Sequence, residues 1–448
     1  MDVNSSGGKM HDLIKRLFPI CRSITGNGVR ESLQIIRDFI HISIHEIPSG
    51  TKVFDWTVPK EWNINDAYIK NSHGEKIIDF KKSNLHILNY SVPINKKIPF
   101  SELKNHLFSL PEYPDKIPYL TSYYKENWGF CVSHNQLKTL QDEVYEVFID
   151  STLEKGNLTY GELYLEGKNK DEILFTTYVC HPSLCNDNLS GVSLLVFLAE
   201  KLMNEELNHS YRFLFIPETI GAITWLSTNE NKTSRIKQGL VATCLGDNGI
   251  STYKKTKNGN TLIDKIVLKV LKESNSSFNV IDFFPSGSDE RQFSSPGFDL
   301  SIGSLMRTPY GNFDEYHTSG DDLNFVKSEN LQDTFEKYCK IVDLLEREQS
   351  ITDTNISDSE KSDETDLSKK YISLNPKCEP QLGKRGLYRM VGGQKESNID
   401  ELSIFWIMCF SDGNHSLKYI SNRSGIDLDK LEKTANQLYE KNLLKLVN

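Results

Sequence analysis

The most regular hydrophobic pattern of the chain lies at residues 172–203. Positions 173–179 are all apolar or β-branched, which is typical of a buried strand, and apolar residues recur at helical spacing through 192–202. The polar loop 180–191, which contains His181 and Asp187, joins the two. Because open α/β sheets keep their functional residues at the carboxyl ends of strands, we expect this loop to carry chemistry.

The same alternation of strand and helix patterns extends from residue 155 to about residue 345. Strands are predicted at 172–179, 211–216, 239–245 and 300–303. Helices are predicted at 191–203, from 222 onward, at 262–271 and at 329–348. The alternation predicts an α/β fold in which a largely parallel or mixed sheet is sandwiched by helices.

Two further patterns precede this region. Apolar residues at 9–47 recur at spacings of three and four, which predicts helices separated by a turn at 23–28. From 58 to 148, short β-like segments are broken by Pro, Gly and Asn, which predicts an inserted β-rich domain. The α/β domain is therefore expected to be discontinuous, formed by 1–57 and 149–350.

The C-terminal part differs in composition. Residues 351–370 are rich in Ser, Thr, Asp, Glu and Lys and nearly lack apolar residues, which predicts an acidic linker. Residues 371–448 show three helical patterns followed by a strand pattern, an order typical of a winged helix-turn-helix. These patterns lie at 399–410, 416–422, 428–442 and 443–447.

The charge of this C-terminal unit argues against DNA binding. Residues 398–448 contain six Lys or Arg and seven Asp or Glu, whereas a DNA-binding module carries a basic stripe. We therefore expect the unit to contact another protein or a second copy of the chain rather than nucleic acid.

Composition narrows the class of protein further. A chain of 448 residues predicts two or three domains, and its net charge of −9 disfavours nucleic-acid and anionic-membrane partners. No apolar run reaches the ~18 residues of a membrane span, and the polar N-terminus does not resemble a signal peptide. Eight scattered cysteines without a CxxC pair indicate reduced thiols. A cytoplasmic protein is expected.

Further polar residues follow the predicted strands. Glu218 follows the strand at 211–216, Asp247 follows that at 239–245, and His317 lies beyond the last strand. Singly, Glu218 also fits a helix cap, Asp247 an Asx turn and His317 an ordinary loop. Together with His181 and Asp187, they favour a metal site, because imidazole and carboxylate groups are zinc ligands.

The order of these residues resembles that of the M28-type co-catalytic zinc aminopeptidases. The matching sequence is a histidine, an Asp-Asn-x-Ser-Gly motif, a glutamate after a strand, an aspartate before a turn and a late Tyr-His pair. Three features together resemble a DUF4910/DUF2172 aminopeptidase-like family. They are the insertion, the winged helix and the motif His-Pro-Ser-x-x-x-Asp-Asn-x-Ser-Gly at 181–191. Members of that family are often met in surface-polysaccharide biosynthesis clusters.

The resemblance implies a role for each matching residue. It makes His181 and Asp247 ligands of a first zinc ion, Asp187 a bridging ligand, His317 a ligand of a second zinc ion, Glu218 the general base and Tyr316 the oxyanion donor. Two positions depart from the M28 pattern. Thr219 stands where a second glutamate ligand is expected, and Ser183 stands where an aspartate orients the first histidine. The expected cofactor is therefore one zinc ion, or two.

These observations predict a zinc-dependent hydrolase of aminopeptidase type. Its substrate would contain an amide bond, in a small peptide or an amide-bearing sugar intermediate, and it would act without a membrane or nucleic-acid partner. One alternative is an inactive metal-binding scaffold or regulator that works through its insertion and winged helix. Another is a single-zinc acyl transferase or cyclase on the same fold.

Overall fold

The computed structural model describes residues 5–122, 124–353, 368–388 and 400–447. Its strands, in chain order, are β1 (Ser43–Pro48), β2 (Lys52–Val53), β3 (Trp56–Thr57), β4 (Glu61–Lys70), β5 (Lys76–Asp79), β6 (Ile94–Pro99), β7 (Leu107–Phe108), β8 (Phe130–Cys131), β9 (Val144–Glu154), β10 (Asn157–Leu165), β11 (Glu172–Tyr178), β12 (Ser210–Ile216), β13 (Ile236–Val241), β14 (Ser251–Lys254), β15 (Phe278–Ile281), β16 (Ser301–Met306), β17 (Lys370–Ser373), β18 (Asp412–Ser416) and β19 (Leu444–Val447).

The α-helices are numbered in the same way. They are α1 (Ser6–Leu17), α2 (Asn27–Arg37), α3 (Phe100–Leu103), α4 (His134–Thr139), α5 (Ser190–Leu202), α6 (Ile220–Thr228), α7 (Glu230–Thr233), α8 (Leu262–Glu273), α9 (Glu290–Phe293), α10 (Ser328–Leu345), α11 (Glu401–Phe410), α12 (Leu417–Ser424) and α13 (Leu428–Glu440). Short turns of 3₁₀ helix lie at Asn84–His86, Lys104–His106 and Gly383–Arg385, and an irregular helical turn lies at Cys185–Leu189.

An eight-stranded mixed sheet organises the molecule, in the order β1-β10-β12-β11-β13-β16-β14-β15. Its four central strands, β12, β11, β13 and β16, run parallel to one another. The pairs β1–β10, β10–β12 and β14–β16 are antiparallel. Since the parallel strands point the same way, the loops that follow them meet at one edge of the sheet.

The sheet is buried on both faces. Successive strand residues alternate between two hydrophobic clusters, as they must when neighbouring side chains point to opposite faces. Ile173 and Phe175 pack with helices α1, α2, α5, α8 and α10, whereas Leu174 packs with α6 and with the strands of residues 58–148. Burial on both faces explains why β11 reads as a continuous apolar run.

Residues 58–148 contribute most of a second, antiparallel sheet. Its strand order is β5-β4-β9-β6. Trp62 of β4 and Tyr145 of β9 are buried in the same cluster as Ile216 and Trp225 of the α/β region. The β-rich stretch therefore shares its core with one face of the large sheet.

The C-terminal unit has the arrangement of a winged helix-turn-helix, as predicted. Helices α11, α12 and α13 enclose a core with the three-stranded sheet β18-β17-β19. Phe283, from the loop after β15, is buried in this core. The unit thus packs directly against the α/β region.

The predicted α/β class with a mixed sheet and a winged helix is confirmed, whereas several local predictions are wrong. Residues 43–47 were expected to be helical, but they form edge strand β1, which is exposed or half-buried throughout and ends in Pro48, as suits a sheet edge. Residues 411–414 were expected only to break a helix, but they lie mainly in β18.

Two further expectations concern the linker and membrane-spanning helices. Most of the predicted linker at 351–370, namely 354–367, lies outside the described residues. No helix among the described residues combines the length and apolar composition that crossing a bilayer requires.

Candidate metal centre

The loop after β11 carries His181 and Asp187 at the carboxyl edge of the sheet. Every residue from 180 to 191 is buried. The side-chain amide of Asn188 donates to Thr177 Oγ1 at 2.8 Å, and the backbone N–H of Gly191 donates to Asn188 Oδ1 at 3.2 Å. A Cβ atom at Gly191 would lie 2.2 Å from the Ala242 carbonyl oxygen. The Asp-Asn-x-Ser-Gly motif therefore serves to fold this buried loop.

The fold brings together three of the four predicted metal ligands. One ligand atom from each of His181, Asp187 and His317 lies within 4.8 Å of the others. His317 comes from the loop after β16, 130 residues after Asp187 in sequence but beside it in space. Its Nε2 atom is 3.0 Å from Asp187 Oδ2.

The residues fit a zinc ion. Asp187 Oδ2 and His317 Nε2 are both buried, and neither has a hydrogen-bond partner of suitable geometry. A buried polar atom without a partner costs about 1–3 kcal/mol, and a bound cation would satisfy both atoms. Imidazole nitrogen and carboxylate oxygen are usual zinc ligands. Zinc binding by these residues stays a prediction.

Electrostatics keep the ligands in the forms that bind metal. Burial is the largest influence on His181 and lowers its pKa to about 4, so the imidazole is neutral near pH 7. For Asp187, burial alone would raise the pKa, but the nearby His181 and His317 outweigh it and hold the pKa below its usual value. A neutral imidazole and an ionised carboxylate are the metal-binding states.

Two residues that sequence reasoning missed fix the position of Asp187. Asp321 Oδ1 accepts a hydrogen bond from the Asn186 N–H at 2.6 Å, and its Oδ2 accepts one from the Asp187 N–H at 2.8 Å. The Tyr178 hydroxyl donates to Asp187 Oδ1 and lies 2.7 Å from Thr243 Oγ1. The only sequence signals were a polar run after His317 and a tyrosine at the end of β11.

An aromatic ring from the β-rich stretch covers the two histidines. Tyr119 meets His181 edge-on, with ring centroids 5.0 Å apart, and meets His317 at 5.3 Å. The backbone N–H of Tyr119 donates to the His317 carbonyl at 2.7 Å. On the opposite side, the buried Arg22 donates from Nε to the His181 carbonyl at 2.9 Å. Residues outside the strand-end loops thus fix both histidines.

Glu218 stands beside the cluster at the end of β12. Its Oε2 atom is 3.8 Å from His181 Nε2. Burial raises its pKa well above the usual value, and the negative charges of Asp289 and Asp187 add to this effect. The side chain stays 24% exposed, so contact with water limits the rise. A carboxyl group in this position suits a proton acceptor more than a metal ligand.

Asp289 lies behind Glu218 on the turn before α9. Its Oδ1 atom accepts a hydrogen bond from the Thr219 N–H at 2.7 Å. Burial raises the pKa of Asp289 to about 7, against the opposing effects of that hydrogen bond and of Arg291. Thr219 itself adopts a positive φ of 60°, so this contact fixes an unusual backbone conformation directly after Glu218.

The structure does not bring Asp247 into the cluster, in contrast to the sequence prediction. Its Oδ1 atom accepts hydrogen bonds from the Gly249 N–H at 2.6 Å and the Thr308 hydroxyl at 2.5 Å. Its Oδ2 atom accepts one from the Asn186 side-chain amide at 3.0 Å. Both oxygens are therefore occupied in joining three loops, which is the Asx-turn alternative.

The remaining predicted residues flank the site. The Tyr316 ring stacks on His317 at 4.0 Å, and burial raises the pKa of its phenol well above the usual value, so it stays protonated. Ser183 donates to the Phe18 carbonyl at 2.6 Å and does not orient His181 through this bond. The Nδ1 atom of His181 lies 3.5 Å from the Cys180 sulfur.

A cavity of about 340 Å³ opens at Glu218 and Thr219. Three parts of the chain line it. They are the α/β region, the β-rich stretch through Thr121, Tyr124 and Lys125, and the segment before α11 through residues such as Glu379 and Tyr388. The cavity gives a small molecule access to the carboxyl group of Glu218 beside the cluster of His181, Asp187 and His317.

The fold is that of an aminopeptidase-like α/β protein. A zinc aminopeptidase from Bacillus subtilis superposes with a TM-score of 0.58 at 11% identity, over 78% of this chain and 96% of that one. An M28 peptidase precursor from Shewanella amazonensis gives a TM-score of 0.52 at 10% identity, over 77% and 94%. At such identities the likeness concerns the fold alone.

The sequence comparison gives the family. Residues 11–348 match the model described as a domain of unknown function, DUF4910, and residues 369–446 match a winged helix-turn-helix. The chain belongs to the DUF4910 family.

A Clostridium acetobutylicum protein, provisionally named a polysaccharide biosynthesis protein with an aminopeptidase-like domain, is 54% identical over 99% of this chain and 98% of its own. A crystal structure from that organism, provisionally described as a peptidase, gives a TM-score of 0.76 at 54% identity, over 99% and 98%.

Proposed function

We propose that this protein is a hydrolase of aminopeptidase type that uses one zinc ion to cleave an amide bond. The observation that carries the proposal is the cluster of His181, Asp187 and His317 with Glu218 3.8 Å from the first histidine. With Asp247 hydrogen-bonded elsewhere and Thr219 at the position of a second acidic ligand, this cluster supplies three protein ligands. Three ligands and an open position are typical of a catalytic zinc site.

Each residue of the site would have a separate role in the reaction. Bound zinc would acidify a water molecule and polarise the scissile carbonyl. Glu218 accepts the proton of that water and delivers it to the leaving amine, a role that suits its raised pKa. Tyr316, kept protonated, donates a hydrogen bond to the developing oxyanion. Asp321 and Tyr178 hold Asp187 in place.

Two classes of substrate fit this proposal. An amide bond occurs in a small peptide and in an amide-bearing sugar intermediate. The name of the Clostridium relative supports the second class, because it refers to polysaccharide biosynthesis. We place the reaction in the cytoplasm, with the winged helix docking a protein partner or a second copy of the chain.

Metal analysis of the purified protein tests the proposal first. We expect about one equivalent of zinc per chain, because the cluster offers three ligands. Less than about half an equivalent after gentle purification would contradict the enzyme proposal.

Substitution of the general base provides the second test. Glu218→Gln keeps the size of the side chain but removes the proton acceptor, so hydrolysis of amino-acid anilides or amide-bearing sugars should fall about 10²–10⁴-fold with zinc retained. Glu315→Gln, which changes a carboxylate paired with Lys116 instead, is the matched control. Equal rates for Glu218→Gln and the wild type would remove Glu218 from the mechanism.

A second candidate is a zinc-binding scaffold without activity. The threonine at position 219 and the hydrogen bonds that occupy both oxygens of Asp247 favour it, since both reduce the ligand set of a two-metal site. Bound zinc without hydrolysis of either substrate class would support this scaffold.

A further inference from the structure

The C-terminal unit sends one segment back across the α/β region. Residues 376–388, here called the strap, follow β17 and precede helix α11. The strap contributes Glu379, Gln381, Leu382, Lys384 and Tyr388 to the cavity at Glu218. A segment of the winged-helix domain is therefore a wall of the candidate active site.

Asp55 anchors the strap at the tip of the β2–β3 hairpin. The Arg385 guanidinium donates to both carboxylate oxygens of Asp55, at 2.5 and 3.0 Å, and Lys384 Nζ donates at 2.8 Å. The Gln381 N–H donates to Asp55 Oδ2 at 2.8 Å. These contacts hold the pKa of Asp55 below its usual value although burial opposes the shift. Asp55 itself does not line the cavity.

Further contacts fix the first half of the strap. The Trp56 indole N–H donates to the Glu379 carbonyl at 2.8 Å, and the Arg291 guanidinium donates to the Glu379 carboxylate. The Cys378 N–H donates to Ser295 Oγ at 2.9 Å. Together these contacts hold residues 378–385 of the strap in a defined position against the α/β region.

Two exposed aromatic rings line the cavity. Tyr124 is 44% exposed and comes from the β-rich stretch, whereas Tyr388 is 36% exposed and ends the strap. The buried Trp56 packs edge-on against Tyr124 at 5.3 Å. Exposed tyrosines at a cavity offer large, rigid contact surfaces with a polar tip, which is typical of binding sites.

We propose that this cavity binds the sugar ring of an amide-bearing amino sugar, with Tyr124 and Tyr388 against the ring and the amide directed toward Glu218. The inference rests on the proposed function, because it names the substrate of that site. It assigns the strap, and thus the C-terminal domain, a role in substrate recognition.

The chemistry of the lining fits a sugar. A pyranose has flat C–H faces that pack on aromatic rings and an edge of hydroxyl groups that needs donors and acceptors. Thr121 and Gln381 provide such groups beside the two tyrosines. A volume of about 340 Å³ lies at the lower end of the range for small-molecule sites, about 300–1,000 Å³, and suits a monosaccharide unit.

Equilibrium binding tests the inference without turnover. Full-length Glu218→Gln protein is titrated with N-acetylglucosamine and N-acetylgalactosamine, and with glucose and galactose, which lack the amide. We expect saturable binding of the amide-bearing sugars and an affinity about tenfold lower when Tyr388→Ala is added, since one aromatic contact is lost. Adding Tyr439→Ala, an exposed tyrosine on α13 outside the cavity, should leave the affinity unchanged.

A second variant tests the position of the strap without changing the side chains that line the cavity. Asp55→Ala removes the anchor but no lining atom, so we expect it to weaken sugar binding while zinc content stays the same. The binding assay needs no hydrolysis, so loss of the proposed activity and loss of the proposed substrate site are distinguishable. Absence of saturable sugar binding, or Tyr388-dependent binding of alanylalanine instead, would overturn the inference.

Discussion

The position of Asp187 depends on a carboxylate that sequence reasoning did not select. Asp321 accepts the N–H groups of both Asn186 and Asp187, which fixes the backbone that carries the ligand. Groups that orient a metal ligand affect affinity strongly although they do not touch the metal. Asp321 is therefore expected to be a positioning residue.

Asp321→Asn should weaken zinc binding. The amide keeps one acceptor oxygen but loses the other, so one of the two backbone N–H groups loses its partner, and zinc affinity should fall about 10–100-fold. Competition with a chromogenic chelator measures the change. Asp322→Asn is the control, because Asp322 accepts from Asn324 and Phe325 instead. Equal affinities for the two variants would contradict this role.

The pH dependence of activity should depend on the negative charge of Asp289. Its negative charge is one cause of the raised pKa of Glu218, and a proton acceptor works only when ionised. Removing that charge with Asp289→Asn should lower the pKa of Glu218 and shift the acidic limb of kcat/KM to lower pH. Asp299→Asn, at a carboxylate paired with Lys257, serves as the control and should not shift the limb. A limb that moves to higher pH would contradict this account.

At this scale the structure brings together three of the predicted ligands and places the fourth, Asp247, outside their cluster. His181, Asp187 and His317 converge as expected because each follows a parallel strand of one sheet. Asp247 does not, because β13 ends at Val241 and not at 245 as the apolar run indicated. The polar residue nearest that strand end, Thr243, contacts Tyr178 instead. Because a buried loop is rich in apolar residues, its sequence resembles that of a buried strand.

Elements at the periphery were predicted less well than those at the centre. Central strands are buried on both faces and read as continuous apolar runs. β1 and β18 instead depend on pairing with β10 and β17, so their formation is decided by partners distant in sequence. The contact between the C-terminal unit and the α/β region was equally invisible, since it joins segments that are distant in sequence, such as Cys378 and Ser295.

Phe283 should be the main apolar contact between these two units. It is buried in the C-terminal core and meets Phe410 edge-on at 6.3 Å. Phe283→Ala should therefore destabilise the docked arrangement, by up to about 3–5 kcal/mol for a buried phenylalanine. Calorimetry should show a lower unfolding temperature or a separate transition. Phe278→Ala, at a half-buried edge position, should have a smaller effect, and the opposite ranking would contradict the assignment.

The charge of the whole molecule bears on its partners. The net charge is −9, and helix α13 exposes acidic residues such as Asp429 and Glu440 as well as lysines. Such a surface provides few of the phosphate contacts that drive DNA binding. We expect no shift of duplex DNA at low salt by the full-length protein. Tight binding that weakens steeply as salt rises would show that the winged helix contacts DNA after all.

The strap also constrains how this chain can change over generations. A domain attached by a simple linker can be lost or exchanged by one genetic event, and its neighbour keeps working. Here a deletion after the α/β region would leave His181, Asp187 and His317 in place but remove one wall of the cavity. The two units are therefore expected to be inherited together, and substitutions in the strap should accompany changes in the β-rich stretch that faces it.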